Sequence, residues 1–289
     1  MNLEHVATYL AVLRTGSFHA AARERGLSQA SVSQHVRALE VQQGAALVVR
    51  DRAGCHAVRG TEEFARYAAL LVSLAERASR GLVRPSLTVG ASSNIGTYLI
   101  HPVFKSFVDQ RADDLEARLV IGTNGDVAEQ LTSGGIDVAL MEWWDDRPGF
   151  EAVGWREEEV VVIAGPEHPW RTRRTVTPGE LAGEIILGGE PQTGTGTLLR
   201  ERLGAAAGDL RVGMSLGNTE AVKRAVRHGL GVSLVLAGAV ADEVSAGQLH
   251  VLRIEGAKLR KTLWAVSRRD EPPTSPSHRF VDYLRSSES

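Results

Sequence analysis

The sequence predicts an α/β protein built in two parts, a small helical head and a larger body joined by one long helix. Three observations predict it. Short helical patterns fill residues 3–44. An uninterrupted run follows from Thr61 to about Arg84, with no proline and Gly81 as its one glycine. Beyond Arg84-Pro85-Ser86, short β-rich runs alternate with helical stretches.

The head comes first. Leu3, Val6, Ala7, Leu10 and Leu13 recur at helical spacing, and Gly16 stops them. Ser17 is placed to cap a second helix rich in alanine (Ala20, Ala21, Ala22), which ends at Gly26. Ser28 is placed to cap a third, running to about Gly44, with Val32, Val36 and Leu39 on its core face. The opposite stripe is Gln29, Ala30, Ser33, Gln34 and Arg37. Glutamine can pair bidentately with adenine, and an alanine methyl can meet a thymine methyl. Two helices joined by a tight turn, the second polar and exposed at its start, describe a helix-turn-helix. Any small three-helix unit has polar faces, so the next segment matters. Val48-Val49-Arg50-Asp51-Arg52-Ala53-Gly54 is a short apolar strand breaking into a basic turn, as a wing would. Arg50 and Arg52, with Arg59 as a further candidate, are expected to hold phosphates and set register.

The run Phe18-His19-Ala20-Ala21-Ala22, followed by Leu27-Ser28-Gln29-Ala30-Ser31-Val32-Ser33-Gln34-His35-Val36-Arg37-Ala38-Leu39-Glu40, resembles the N-terminal domain of LysR-type transcriptional regulators. The resemblance covers the whole chain, specific at its start and more diffuse after it. It implies a winged helix-turn-helix plus a long linker helix, then a two-lobed, periplasmic-binding-protein-like α/β effector domain. The family usually has Leu-Thr-x-Ala-Gly after the wing. Here Val58-Arg59-Gly60-Thr61-Glu62 stands there, which moves the expected cap of the long helix to Thr61.

Composition agrees. The net charge of −2 conceals an asymmetry. Residues 1–84 hold 11 Arg, no Lys and 7 acidic residues, and the remainder holds 22 basic and 28 acidic residues. A basic head on an acidic body suits a protein whose head alone meets a polyanion, though the surplus is modest. The one cysteine, Cys55, falls in or beside the wing and reads as an ordinary reduced thiol. The N-terminus enters an amphipathic helix with no signal peptide pattern, and no apolar run approaches membrane-span length. A cytoplasmic protein with no membrane partner is expected.

Within 61–84, Phe64, Ala68, Leu71, Ala75, Ala78 and Leu82 are spaced 4-3-4-3-4, an a/d seam that predicts dimerisation. The alternative is a helix packed on its own domain. The expected domains are 1–60 for the head, 61–84 for the linker helix and 85–289 for the body. The body is expected to divide into lobe I, 87–161 and 263–289, and lobe II, 162–262. Its predicted strands are 87–91, 115–121, 138–141, 160–164, 185–187, 210–214, 232–236 and 263–266, in a mainly parallel sheet.

Ligands of open α/β sheets bind outside the carboxyl ends of the strands, where helix N-termini present free N–H groups. Those ends carry Ser92, Ser93, Asn94 and Thr97; Thr123 and Asn124; Thr195, Gly196 and Thr197; and Asn218 and Thr219. Each alone would read as a helix cap. Their convergence argues for a small anion, such as a carboxylate or a sulfur oxyanion. The stretch 190–197 also resembles a branch of the family that answers to sulfur or carbon metabolism. Glu142 ends a strand on the same side and is expected to repel a dianion unless protonated or turned away.

Catalysis is the competing class. No Ser-His-Asp order, no G-x-S-x-G elbow and no metal-ligand spacing is present. Gly194-Thr195-Gly196-Thr197 lacks the lysine of a phosphate-binding loop. No catalytic residue, metal or cofactor is therefore expected. A pure solute-binding protein is opposed by the attached helix-turn-helix. The resemblance further implies a homodimer or homotetramer on double-stranded promoter DNA, a small-molecule inducer and contact with RNA polymerase.

Overall fold

The computed structural model describes residues 1–52, 54–81, 85–110, 115–188, 194–203, 208 and 210–287, excluding the side chains of Arg77, Arg80, Gly81, Gly194, Thr197 and Leu203. The chain forms two compact units, one built around residues 1–88 and the other holding most of 89–289.

The first unit opens with α1 (Leu3–Thr15), α2 (Phe18–Arg25) and α3 (Gln29–Gln43). Ser17 caps α2 by accepting from Ala20 N, and Ser28 caps α3 by accepting from Ser31 N. Gly16, Gly26 and Gly44 end the three helices in the left-handed conformation. Val6, Tyr9, Val12, Val32, Val36 and Leu39 close the core between them. The wing is the hairpin β1 (Val48–Asp51) and β2 (Gly54–Ala57). It is fastened at both ends. The Glu40 carboxylate accepts from Leu47 N at 2.8 Å and Val48 N at 3.2 Å, and Cys55 N donates to Gly16 O at 2.9 Å. Gly54 has φ +131°, and a Cβ there would lie 3.0 Å from that same Gly16 oxygen, so a larger residue would be strained. Cys55 is buried on β2.

The long helix α4 (Glu62–Gly81) carries two apolar faces where one was expected. Ala68 is buried in the head's core, with Phe64, Ala65 and Val72 packed against it. The opposite face bares Tyr67, Leu71, Leu74 and Ala78, also spaced 4-3-4. The seam read from the sequence therefore mixes the two faces: Phe64 and Ala68 belong to the head, and Leu71 and Ala78 to the bare stripe. Leu82 lies outside the described residues. Thr61 precedes the helix; its backbone oxygen accepts from Ala65 N at 3.0 Å and its hydroxyl donates to Val58 O at 2.7 Å.

The body follows: β3 (Ser86–Ser92), a π-helical turn (Ile95–Leu99), α5 (Ile100–Asp109), β4 (Glu116–Gly122), α6 (Asn124–Thr132), β5 (Val138–Met141) and β6 (Phe150–Ala164). Then come β7 (Thr175–Val176), α7 (Pro178–Ala182), β8 (Ile185–Leu187), α8 (Gly194–Leu203), β9 (Arg211–Met214), α9 (Thr219–Arg227), β10 (Ser233–Leu236) and α10 (Ala241–Ser245). The last elements are β11 (His250–Ile254), β12 (Arg260–Arg268) and α11 (Pro276–Ser286).

The sheet is mixed, which corrects the mainly parallel expectation. β3–β5, β7–β11 and β8–β9 run parallel, but β12 runs antiparallel to β5 and β6, and β10 and β11 run antiparallel to β6. The reason is β6, a 15-residue strand that ties the body together. Residues 150–159 pair with β12, and 160–164 pair with β10 and β11. One continuous strand thus leaves lobe I and enters lobe II, and β12 makes the return. In lobe II, Val161, Ile163, Leu187, Val222, Val226 and Leu249 form the core under α9.

Candidate functional site

Two surfaces carry the chemistry, one in each unit. On α3 the buried positions Val32, Val36 and Leu39 fix the helix, leaving Gln29, Ala30, Gln34 and Arg37 exposed and Ser33 half-buried. The five residues read from the sequence thus share the outward stripe. Arg50 and Arg52 are both exposed on the wing. Arg50 is not a free arm, because its guanidinium stacks on the Phe18 ring at 3.8 Å from the centroid. The wing cation is thereby held beside the start of α2.

In the body the register brings the strand ends together. Parallel pairing of Ala91 with Leu140 sets Ser92 beside Met141, one step before Glu142. Asn94 sits at the centre. Its Nδ2 donates to Glu142 Oε1 at 3.0 Å, and its Oδ1 accepts from the Thr219 hydroxyl at 2.6 Å. The second contact joins the end of β3 in lobe I to the first turn of α9 in lobe II. Asn124 accepts from Glu142 N at 2.9 Å and donates to Trp143 O at 3.0 Å, tying the β4 exit to the β5 exit. Ser93 donates to Gly122 O at 3.0 Å. Ser92 is 2% exposed, and its hydroxyl has no hydrogen-bond partner.

The remaining candidates are not drawn into this cluster by any described contact. Thr123 and Asp126 bond reciprocally at the start of α6, and Asn218 accepts from Ala221 N as the cap of α9. Those two serve their helices. Thr97 is exposed on the π-helical turn, Thr195 is half-buried and Gly196 is buried on α8. The Thr197 side chain and residues 189–193 of the second predicted turn lie outside the described residues.

Sequence reasoning missed the partner of Glu142. Lys261 Nζ stands 2.6 Å from Glu142 Oε2, with the two side chains 8% and 15% exposed. Glu142 is therefore neutralised, and the expected repulsion of an anion is removed. The available signal was Lys261 on the inward face of β12, in phase with Leu263 and Ala265. A second link between the lobes was also missed. Tyr98 donates to Glu220 Oε1 at 2.7 Å, and Lys223 Nζ lies 4.5 Å from the Tyr98 ring centroid. Lys223 is 5% exposed and fully engaged, at 2.6 Å from Glu220, 2.7 Å from Glu243 and 3.0 Å from Ala239 O. Lys223 and the Tyr98 hydroxyl hold the Glu220 carboxyl below the usual carboxylate range. Burial, then the bond to Glu220, pushes the Tyr98 phenol up, so it stays a donor.

A winged helix-turn-helix head and a two-lobed α/β body in one chain define a class of protein: a DNA-binding regulator that carries its own ligand sensor. Comparison with known proteins makes the assignment specific. Residues 3–63 match the bacterial regulatory helix-turn-helix protein, lysR family, and residues 80–289 match the LysR substrate binding domain. The chain belongs to the LysR family and is a ligand-responsive, DNA-binding transcriptional regulator. It is 40% identical to PtxE of Stutzerimonas stutzeri over 195 residues, covering 68% of this chain and 100% of that protein. It is 31% identical to the uncharacterized HTH-type transcriptional regulator YeiE of Escherichia coli (strain K12), covering 98% and 97% of the two chains. Among solved structures it is similar to CbnR, a LysR family transcriptional regulator, with TM-score 0.72, 21% identity and 100% of both chains covered. CbnR complexed with its target DNA gives TM-score 0.70 at 22% identity, covering 99% of this chain and 100% of that one. These structural likenesses speak for the fold. The relatives it matches are named as transcriptional regulators, not enzymes. Among the described residues no helix is long and apolar enough to cross a membrane.

Proposed function

We propose that this regulator binds promoter DNA as a homodimer or homotetramer and senses a small anionic metabolite between the lobes of its body. The domains are 1–60 for DNA reading, 61–84 for dimerisation and 85–289 for sensing. Gln29, Ala30, Ser33 and Gln34 read bases, Arg37 supplies the stripe's cation, and Arg50 and Arg52 hold phosphates. The bare stripe Tyr67, Leu71, Leu74 and Ala78 on α4 pairs two copies, so that two α3 helices reach successive half-sites. The protein works in the cytoplasm, where it meets DNA and RNA polymerase.

The observation that carries the sensing half is the Thr219–Asn94 bond, which joins the lobes at the carboxyl ends of the lobe I strands. A ligand seated there binds the two lobe positions with different affinity, and only that difference can shift the conformation. Ser92, Ser93, Asn94 and Thr97, with Thr123 and Asn124, supply the lobe I side. Thr195, Gly196, Thr197, Asn218 and Thr219 supply the lobe II side. Small anions are to be screened by thermal shift of the full chain, and each hit then added to operator binding. Thr219→Ala and the double variant Thr97→Ala with Thr195→Ala are expected to weaken the response at least about tenfold, the worth of one or two hydrogen bonds to a charged ligand. An unchanged response in both variants would refute the site.

A further inference from the structure

Lys261 occupies a core-facing position of β12, and a buried ammonium persists only when it is paired. Its partner Glu142 is held from three sides: Lys261 on Oε2, Asn94 on Oε1 and Asn124 on its backbone N–H. From Asn94 the chain of contacts continues to Thr219 in lobe II. Lys261, Glu142, Asn94 and Thr219 thus form one polar thread from the hinge strand to the opposite lobe. We propose that Lys261 and Glu142 act as a hydrogen-bond filter, selecting a small oxyanion that carries its own proton over one that carries none. The inference rests on the anion-sensing function proposed above.

The chemistry is a matter of donors and acceptors. An ammonium has three hydrogens, and Glu142 takes one from Lys261. The Ser92 hydroxyl at the end of β3 is buried without a partner. In the proposed filter both donate to oxyanion oxygens. The Glu142 carboxylate keeps further lone pairs and can only accept. An oxyanion with an O–H donates to that carboxylate while accepting from Lys261 and Ser92. A fully deprotonated oxyanion brings lone pairs alone, so it sets acceptor against acceptor at Glu142 and leaves that contact without a hydrogen. Hydrogen phosphate and sulfate separate the two cases, being tetrahedral, similar in size and different in that one proton.

The test is calorimetric titration of the full-length protein with inorganic phosphate and with sulfate, near neutral pH and at equal ionic strength. The wild type is expected to favour phosphate by at least about tenfold, the worth of one charged hydrogen bond. Glu142→Gln, whose amide can donate as well as accept, is expected to gain sulfate binding and lose most of the preference. Lys261→Gln is expected to weaken both anions about tenfold without abolishing their binding. Should Glu142→Gln fail to fold, the double variant Glu142→Gln with Lys261→Gln keeps a neutral pair of similar shape and is expected to show no preference. A wild type without preference, or a preference that survives Glu142→Gln or the double variant, overturns the filter. In that case Thr219→Ala weakening both anions equally leaves anion sensing in the cleft standing. Neither anion binding to the wild type or to Glu142→Gln overturns the filter, and anion sensing then stands or falls with the carboxylates of the thermal-shift screen.

Discussion

At the scale of single residues, the two kinds of DNA contact should separate in experiment. Arg50 is a cation parked on an aromatic face, whereas Gln29 is an uncharged amide on the exposed stripe of α3. Arg50→Ala is expected to weaken binding to all duplexes and lower the salt slope by about one. Gln29→Ala is expected instead to relax preference at one position, by about 1–3 kcal/mol of discrimination. Titrations across operator variants at several salt concentrations check both, and identical patterns for the two variants would contradict the division. Ser28→Ala removes the α3 cap and is expected to cost about 1 kcal/mol, seen as a lower melting temperature. Caps such as Ser17 and Ser28 were legible in the sequence because donor and acceptor lie three residues apart. The pairing of Glu142 with Lys261 was not, because 119 positions separate the partners and only the sheet brings them together. Glu142 alone read as an obstacle to an anion; with its counter-ion it becomes part of the proposed site.

At the scale of elements, α4 and β6 show what periodicity can and cannot say. The 4-3-4 spacing on α4 announced an apolar seam, but a helix with two apolar faces offers two such seams. Only packing shows that Phe64 and Ala68 face the head while Leu71 faces outward. Leu71→Glu on the bare stripe is therefore expected to shift the dimer–monomer equilibrium toward monomer, measured by sedimentation, with little change in the fold of the head. An undisturbed dimer would move the interface elsewhere. Of β6, residues 160–164 were predicted because they are continuously apolar. Residues 150–159 were missed because Glu151, Arg156, Glu157 and Glu159 interrupt the pattern. They extend because β12 pairs with them, which is a tertiary cause. The Tyr98–Glu220–Lys223 link carries a pH prediction. The Glu220 carboxyl titrates below its ordinary range, so its stabilisation is present above the unfolded carboxylate pKa. It is lost as pH falls through the lowered folded value. In acid melting curves the wild type is expected to lose more stability across that window than Glu220→Gln. Parallel curves would mean that the link contributes nothing.

At the scale of the whole molecule, the head and the body make separate demands on the chain. The head needs a rigid helix pair and a wing, and local signals sufficed to find them. The body needs strands that cross between lobes; strand–helix alternation made it legible as α/β and the family resemblance implied its two lobes, while its strand directions were not legible. Everything else the molecule does depends on the head reading a defined DNA sequence. The most direct test is binding of the purified protein to the DNA upstream of its own gene, at several salt concentrations and against an unrelated duplex. Tight, strongly salt-dependent binding to the upstream DNA is expected, at least about a thousandfold stronger than to the unrelated duplex. Equal affinity for both duplexes at every salt concentration, with upstream regions of neighbouring genes behaving the same way, would contradict it.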